Sequence, residues 1–190
     1  MGNKDDILEM EILDTVNKKP NRGFLHIRFD RIQNNHMVNL QVQGINLKSK
    51  RFCGPNNNML EIYKPKGVET IGSLIGSQTK DFDYIKSPIP ESEWILVHRF
   101  EIVNKNESAV WSELAIQKSK LCNYNDDLPL LFKVMDYKTN NGNHKLVGGV
   151  ILTFKEIETA STSKSTITIH KKNRANRGSI VFTKLVQGTL

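Results

Sequence analysis

The side chains able to do chemistry are few and scattered. Histidines stand at His26, His36, His98, His144 and His170, and the two cysteines are Cys53 and Cys122. A protein metal centre needs such ligands at short, regular spacings, and neither an HExxH pattern nor a clustered Cys/His pattern occurs. Neither cysteine has a neighbouring His or Asp signature of nucleophilic catalysis. No GxSxG elbow or glycine-rich phosphate loop is present. The expectation is therefore a protein that is not an enzyme, with no cofactor, no metal and no small-molecule substrate. Trp94 and Trp111 read as core-filling aromatics. What remains is positive charge. Lys171, Lys172, Arg174 and Arg177 cluster between two β-rich runs, where they can meet phosphates or simply solvate a hairpin. No RNA-recognition aromatic pattern or zinc-finger spacing accompanies them, so nucleic acid is not expected as a partner.

These residues must be positioned by strands, because the dominant sequence period is two. Leu25, Ile27 and Phe29 alternate with His26, Arg28 and Asp30, and Val38, Leu40 and Val42 alternate with Asn39, Gln41 and Gln43. Such alternation marks strands with one buried and one wet face. Further β-rich runs are 59–63, 94–103, 111–117, 130–137, 146–154, 165–170 and 179–186, divided by turn clusters such as 54–58 and 140–144. Short strands at this spacing predict an antiparallel sandwich of about eight or nine strands. Helix signals are thin: Phe154 to Thr159 reads as a short turn, and the first sixteen residues suit a strand or a helix. The stretch from Lys64 to Glu93 breaks the pattern with Pro65, Pro88, Pro90, Gly67, Gly72 and Gly76. It is too long for an ordinary connection and carries enough apolar residues to dock somewhere.

Composition bounds the rest. The chain has 190 residues and a formal net charge of +7, with 38% hydrophobic residues, enough for one globular domain with appendages. No run of apolar residues is long enough to span a bilayer as a helix. Asp5, Asp6, Glu9, Glu11 and Asp14 fit neither a secretory signal nor a transit peptide. Two lone cysteines make no disulfide framework, so a reducing, intracellular location, cytoplasmic or peripheral to a membrane, is expected. The segment from Ala160 to Leu190 holds Lys164, Lys171, Lys172, Arg174, Arg177 and Lys184 and no acid beyond that start. The opening Met1-Gly2 suggests N-myristoylation, but Asp6 stands where that motif wants Ser or Thr, so acylation is not expected.

Four stretches in order resemble a copine C2 domain, most closely the second of the two that copines carry. Leu47 to Tyr63 resembles the first calcium loop running into an "SDPFLEIY" strand. Leu96 to Asn106, followed by Ala109-Val110-Trp111, resembles "LVHRTEVIKNN…NPVW". Val134-Met135-Asp136-Tyr137 with Gly142 and Leu146-Val147-Gly148 resembles the third loop, and Lys171-Lys172-Asn173 with Gly178-Ser179-Ile180 resembles the closing basic hairpin. The resemblance implies an all-β, eight-stranded antiparallel Greek-key sandwich over 22–190. It would carry an insertion at about 66–92 and an N-terminal extension over 1–21. Neither the second C2 domain nor the von Willebrand factor A-type domain of copines is expected to fit within these 190 residues.

The resemblance also locates a calcium site and shows it to be degenerate. Its carboxylate positions fall on Lys48, Asn57, Asp136, Lys138, Asn140 or Asn141, and Lys145; only Asp136 remains acidic, and a further acidic position falls on Arg51. Calcium takes about six to eight oxygen ligands. Two unit charges at 4 Å interact by roughly 4 kcal/mol at an effective dielectric of 20, so each lysine both removes an attraction and adds a repulsion. The expectation is a calcium-independent module attaching to anionic phospholipid through Lys48, Lys50, Arg51, Lys138, Lys145, Lys171 and Lys172, with Phe52 as an insertable aromatic. The alternative is a structural subunit whose sandwich and insertion contact protein partners in a larger assembly.

Overall fold

A computed structural model describes residues 7–13, 20–28, 36–48, 56–67, 89–104, 106–138, 144–171 and 177–189. The chain divides into two compact units, Met1–Asn34 and Asn35–Leu190. In the first, β1 (Ile7–Leu13) pairs antiparallel with β2 (Pro20–Arg28), Leu8 opposite Ile27 and Met10 opposite Leu25. Pro20–Arg28 thus takes its strand partner from the N-terminal segment.

The second unit is an all-β sandwich, as the alternation predicts. One sheet has the order β6-β3-β10-β9 and the other β5-β4-β7-β8, every pairing antiparallel. The strands are β3 (His36–Ile45), β4 (Asn58–Pro65), β5 (Trp94–Arg99), β6 (Leu114–Gln117), β7 (Leu130–Asp136), β8 (Lys145–Leu152), β9 (Thr166–Thr168) and β10 (Ser179–Thr189). Val38, Leu40 and Val42 of β3 and Ile180 and Phe182 of β10 share one core with Leu60 and Ile62 of β4 and Phe132 and Val134 of β7. Phe132 and Phe182 meet edge to face at 5.4 Å, tying the two sheets together. Trp111 is fully buried in that core, as its sequence context suggests. A bulge in β10 between Phe182 and Lys184 shifts the alternation by one residue. The shift places Leu185 opposite Leu40, where it packs on the core.

Among the described residues two α-helices interrupt the strands. Five-residue α1 (Lys118–Cys122) is too short to leave a period in the sequence. The expected turn after β8 is a full helix, α2 (Phe154–Ser163), started by a capping box between Thr153 and Glu156. No described helix is long and apolar enough to cross a membrane. The sheet containing β4 and β7 is covered on its outer side as well. Ile89, from the end of the inserted segment, and Trp94, which opens β5, bury Leu131 with Tyr63 and Ile151 beside it. Beneath them Lys133, only 7% exposed, meets Glu91 at 2.8 Å, and buried Glu61 meets Arg99 at 2.7 Å.

Candidate functional site

Four connections converge at one end of the sandwich, and they carry the residues singled out above. They are the links β3–β4, β5–β6, β7–β8 and β9–β10. Backbone hydrogen bonds knit them together: Leu47 N–H donates to Glu107 O (2.8 Å), Lys48 N–H to Arg177 O (3.1 Å), and Tyr137 N–H to Asn57 O (2.8 Å). Asn106 N–H donates to Asn56 O (3.3 Å), and bridges join Asn58 to Val103 and Gly149 to His170.

Lys48 is exposed where β3 leaves its sheet, at a turn that needs Asn46 in the left-handed region (φ 50°). Lys145 is exposed at the start of β8, and its register partner is Asp136 at the end of β7. Asp136 is buried, and its Oδ1 accepts the Asn57 N–H at 3.2 Å. Lys138 is half-buried beyond Tyr137, whose ring stacks on His144 with centroids 4.5 Å apart. Lys171 is half-buried, and its Nζ donates to the Leu146 carbonyl. Lys50, Arg51, Phe52, Asn140 and Lys172 lie outside the described residues, as does Arg174.

The loop end thus brings Lys48, Asn57, Asp136, Lys138, Lys145 and Lys171 together. Arg177, counted from sequence with the second basic cluster, is buried and turned onto backbone carbonyls of this same end. Sequence reasoning also missed buried Asn56 and Asn58, whose side-chain amides donate to Lys48 O and Asn106 O. A run of three asparagines reads as a turn, and nothing in it marks which amides go inside. Among the described residues no three His, Cys, Asp or Glu side chains gather as a metal ion requires. His98, in β5, packs edge to face on Phe100 at 4.6 Å, and burial lowers its pKa; it serves the sheet and is not part of this end.

No family model matches the chain. The solved structure named BON1-C2B superposes with a TM-score of 0.61 at 14% identity, covering 86% of this chain and 99% of that one. The fold is that of a C2 domain. A C2 domain of plant extended synaptotagmin 1 is also similar, at TM-score 0.49 and 16% identity over 83% of this chain and 97% of that one. A C2 domain of RIM from Drosophila matches at TM-score 0.36 and 11% identity, over 64% of this chain and 87% of that one. The C2 architecture accounts for a site made of loops at one end, since the two sheets form a rigid platform and leave only their connections free to vary.

Proposed function

We propose that this chain is a non-enzymatic, copine-like C2 module that attaches to anionic phospholipid membranes through its basic loop end, without calcium. The observation carrying this reading is the placement of exposed Lys48 and Lys145 at the same end as Asp136, with Lys145 its register partner. The copine resemblance puts calcium-ligating carboxylates at both lysine positions. Among the described residues, two features support calcium independence: Asp136 Oδ1 accepts a backbone N–H, and the register neighbour of Asp136 is a cation. A membrane surface needs only the positive field. Each basic residue near an anionic leaflet contributes about 1 kcal/mol, roughly fivefold in affinity.

The test is co-sedimentation with vesicles of phosphatidylcholine alone or mixed with phosphatidylserine. Binding is expected only to the mixed vesicles, falling steeply with salt and indifferent to a chelator. It should weaken by about a hundredfold or more when Lys48, Lys138 and Lys145 are all changed to Glu. Equal binding to neutral vesicles, or a requirement for calcium, would refute the reading.

A second reading, a structural subunit presenting its insertion to protein partners, is favoured by the way that segment is anchored. Lys66 N–H donates to Glu93 O at 2.8 Å, closing its base, and Ile89 packs on the outer face. Replacing residues 68–88 with a short Gly/Ser linker, keeping Ile89 and Glu91, separates the two readings. Loss of a co-purifying protein with vesicle binding retained supports the subunit.

A further inference from the structure

Arg177 belongs by sequence to a solvated basic hairpin, yet it is only 8% exposed. Its Nη2 donates to the Lys48 carbonyl at 2.8 Å and its Nε to the Val147 carbonyl at 3.3 Å. Its backbone is pinned as well, N–H to Ile169 O at 3.0 Å and carbonyl to Lys48 N–H at 3.1 Å. The amide of Asn56 donates to the same Lys48 carbonyl at 3.3 Å. Two glycines make the room. A Cβ on Gly148 would lie 3.1 Å from Arg177 Cβ, and one on Gly178 (φ +110°) would lie 2.7 Å from the Asn46 carbonyl oxygen. The chain is therefore packed backbone against backbone around this one side chain.

Withdrawing a guanidinium from water is costly unless its N–H groups find acceptors. Charge-assisted bonds to carbonyls are stronger than neutral ones, and these two carbonyls come from different elements, one a loop and one a strand. Lys48 O belongs to the β3–β4 connection, and Val147 O to β8, two residues after Lys145. These are the two flanks between which the resemblance places a metal ion.

We propose that Arg177 is the resident cation of the loop end, gathering the Lys48 and Val147 carbonyls and fixing the basic loops in place without a bound ion. It is a positioning residue, not a ligand contact. The proposal builds on the C2 reading above by naming what sets the geometry of that surface.

Hydrogen exchange on the full chain tests it, comparing wild type with Arg177→Met and Arg177→Lys. Arg177→Met should speed amide exchange in peptides spanning 44–60 and 144–150 by about tenfold or more while leaving α2 unchanged. Methylguanidinium, but not equimolar sodium chloride, should restore that protection. Arg177→Lys, which keeps the charge but not the fork, should fall between. Unchanged loop exchange in Arg177→Met overturns the proposal. So does acceleration spread evenly over the whole chain, since that marks a merely structural residue. If Arg177→Met does not fold, wild-type protection in Arg177→Lys overturns it equally. Vesicle binding is scored separately: a wild type that ignores anionic vesicles sinks the lipid reading and leaves this one standing.

Discussion

The carboxylate of Asp136, at the end of β7, accepts the backbone N–H of Asn57 just ahead of β4. With Tyr137 N–H returning to Asn57 O, the pair closes the sheet at the loop end. Asp136 therefore works as a backbone cap. Asp136→Ala removes the acceptor and should cost about 1–3 kcal/mol in urea unfolding. Asp136→Asn keeps an acceptor and should cost less. Both should bind anionic vesicles at least as well as wild type, since a negative charge has gone; abolished binding in Asp136→Asn would contradict the electrostatic reading.

Calcium itself gives a second check. A ligand bound only by the native state stabilises it by about 2.7 kcal/mol at a hundredfold excess over its Kd. A thermal scan resolves such a gain easily. Wild-type Tm is expected to be the same in millimolar calcium and in chelator. A rise with calcium that Asp136→Asn removes would restore an ion to this end.

Much of the sandwich was legible because period two states which residues go inside: Val38, Leu40 and Val42 are all fully buried. The same rule failed on β4 and β7, where it assigns Glu61 and Lys133 to a wet face, yet both are buried, Glu61 against Arg99 and Tyr63 and Lys133 against Glu91. Long-range cover leaves no local signature. The full length of α2 was readable in principle, since Thr153 and Glu156 stand at capping-box spacing. At the loop end the cations were visible but their fates were not. Lys145 and Arg177 are equal to a sequence reader, and only the fold turns one outward and the other onto carbonyls.

The Glu91–Lys133 pair carries a pH dependence. The hydrogen bond from Lys133 and its positive charge hold the Glu91 carboxyl below its ordinary value of 4.5. A carboxyl depressed in the folded state adds stability that is present above the unfolded value and is lost as pH falls through the folded one. Glu91→Gln should therefore lower Tm near neutral pH, where buried Lys133 loses a countercharge. The variant and wild type should converge as acid below pH 4.5 protonates Glu91 in the folded protein. A constant Tm gap down to acid pH would show that the pair contributes no charge coupling.

Cys122 lies fully buried at the end of α1, and burial raises its thiol pKa. Thiolate is the reactive form, so this cysteine should be inert in the native protein. In a Cys53→Ser background, a disulfide reagent such as DTNB should label Cys122 only at the rate of unfolding and fully in denaturant. Fast labelling of the folded protein would mean that α1 opens readily.

Lys64 closes the C-terminal end of α1. From β4 its Nζ donates to Lys120 O at 2.9 Å and to Asn123 Oδ1 at 2.7 Å, and burial lowers its pKa. The helix ends there because Asn123 turns into the left-handed region (φ 53°), where its N–H donates to Ser119 O while Asn125 N–H takes Cys122 O and leaves Lys120 O to Lys64. A cation at such an end is favoured by the helix dipole. Lys64→Met should cost about 1–2 kcal/mol in urea unfolding. Asn123→Gly loses one acceptor but adopts the left-handed turn freely, so its loss should be smaller. Asn123→Val must hold a β-branched residue there, a strain of roughly 1–2 kcal/mol beyond the lost bond, and should be the worst of the three. A ranking with Asn123→Gly as damaging as Asn123→Val would show that the Lys64 bond, and not the backbone turn, governs how α1 ends.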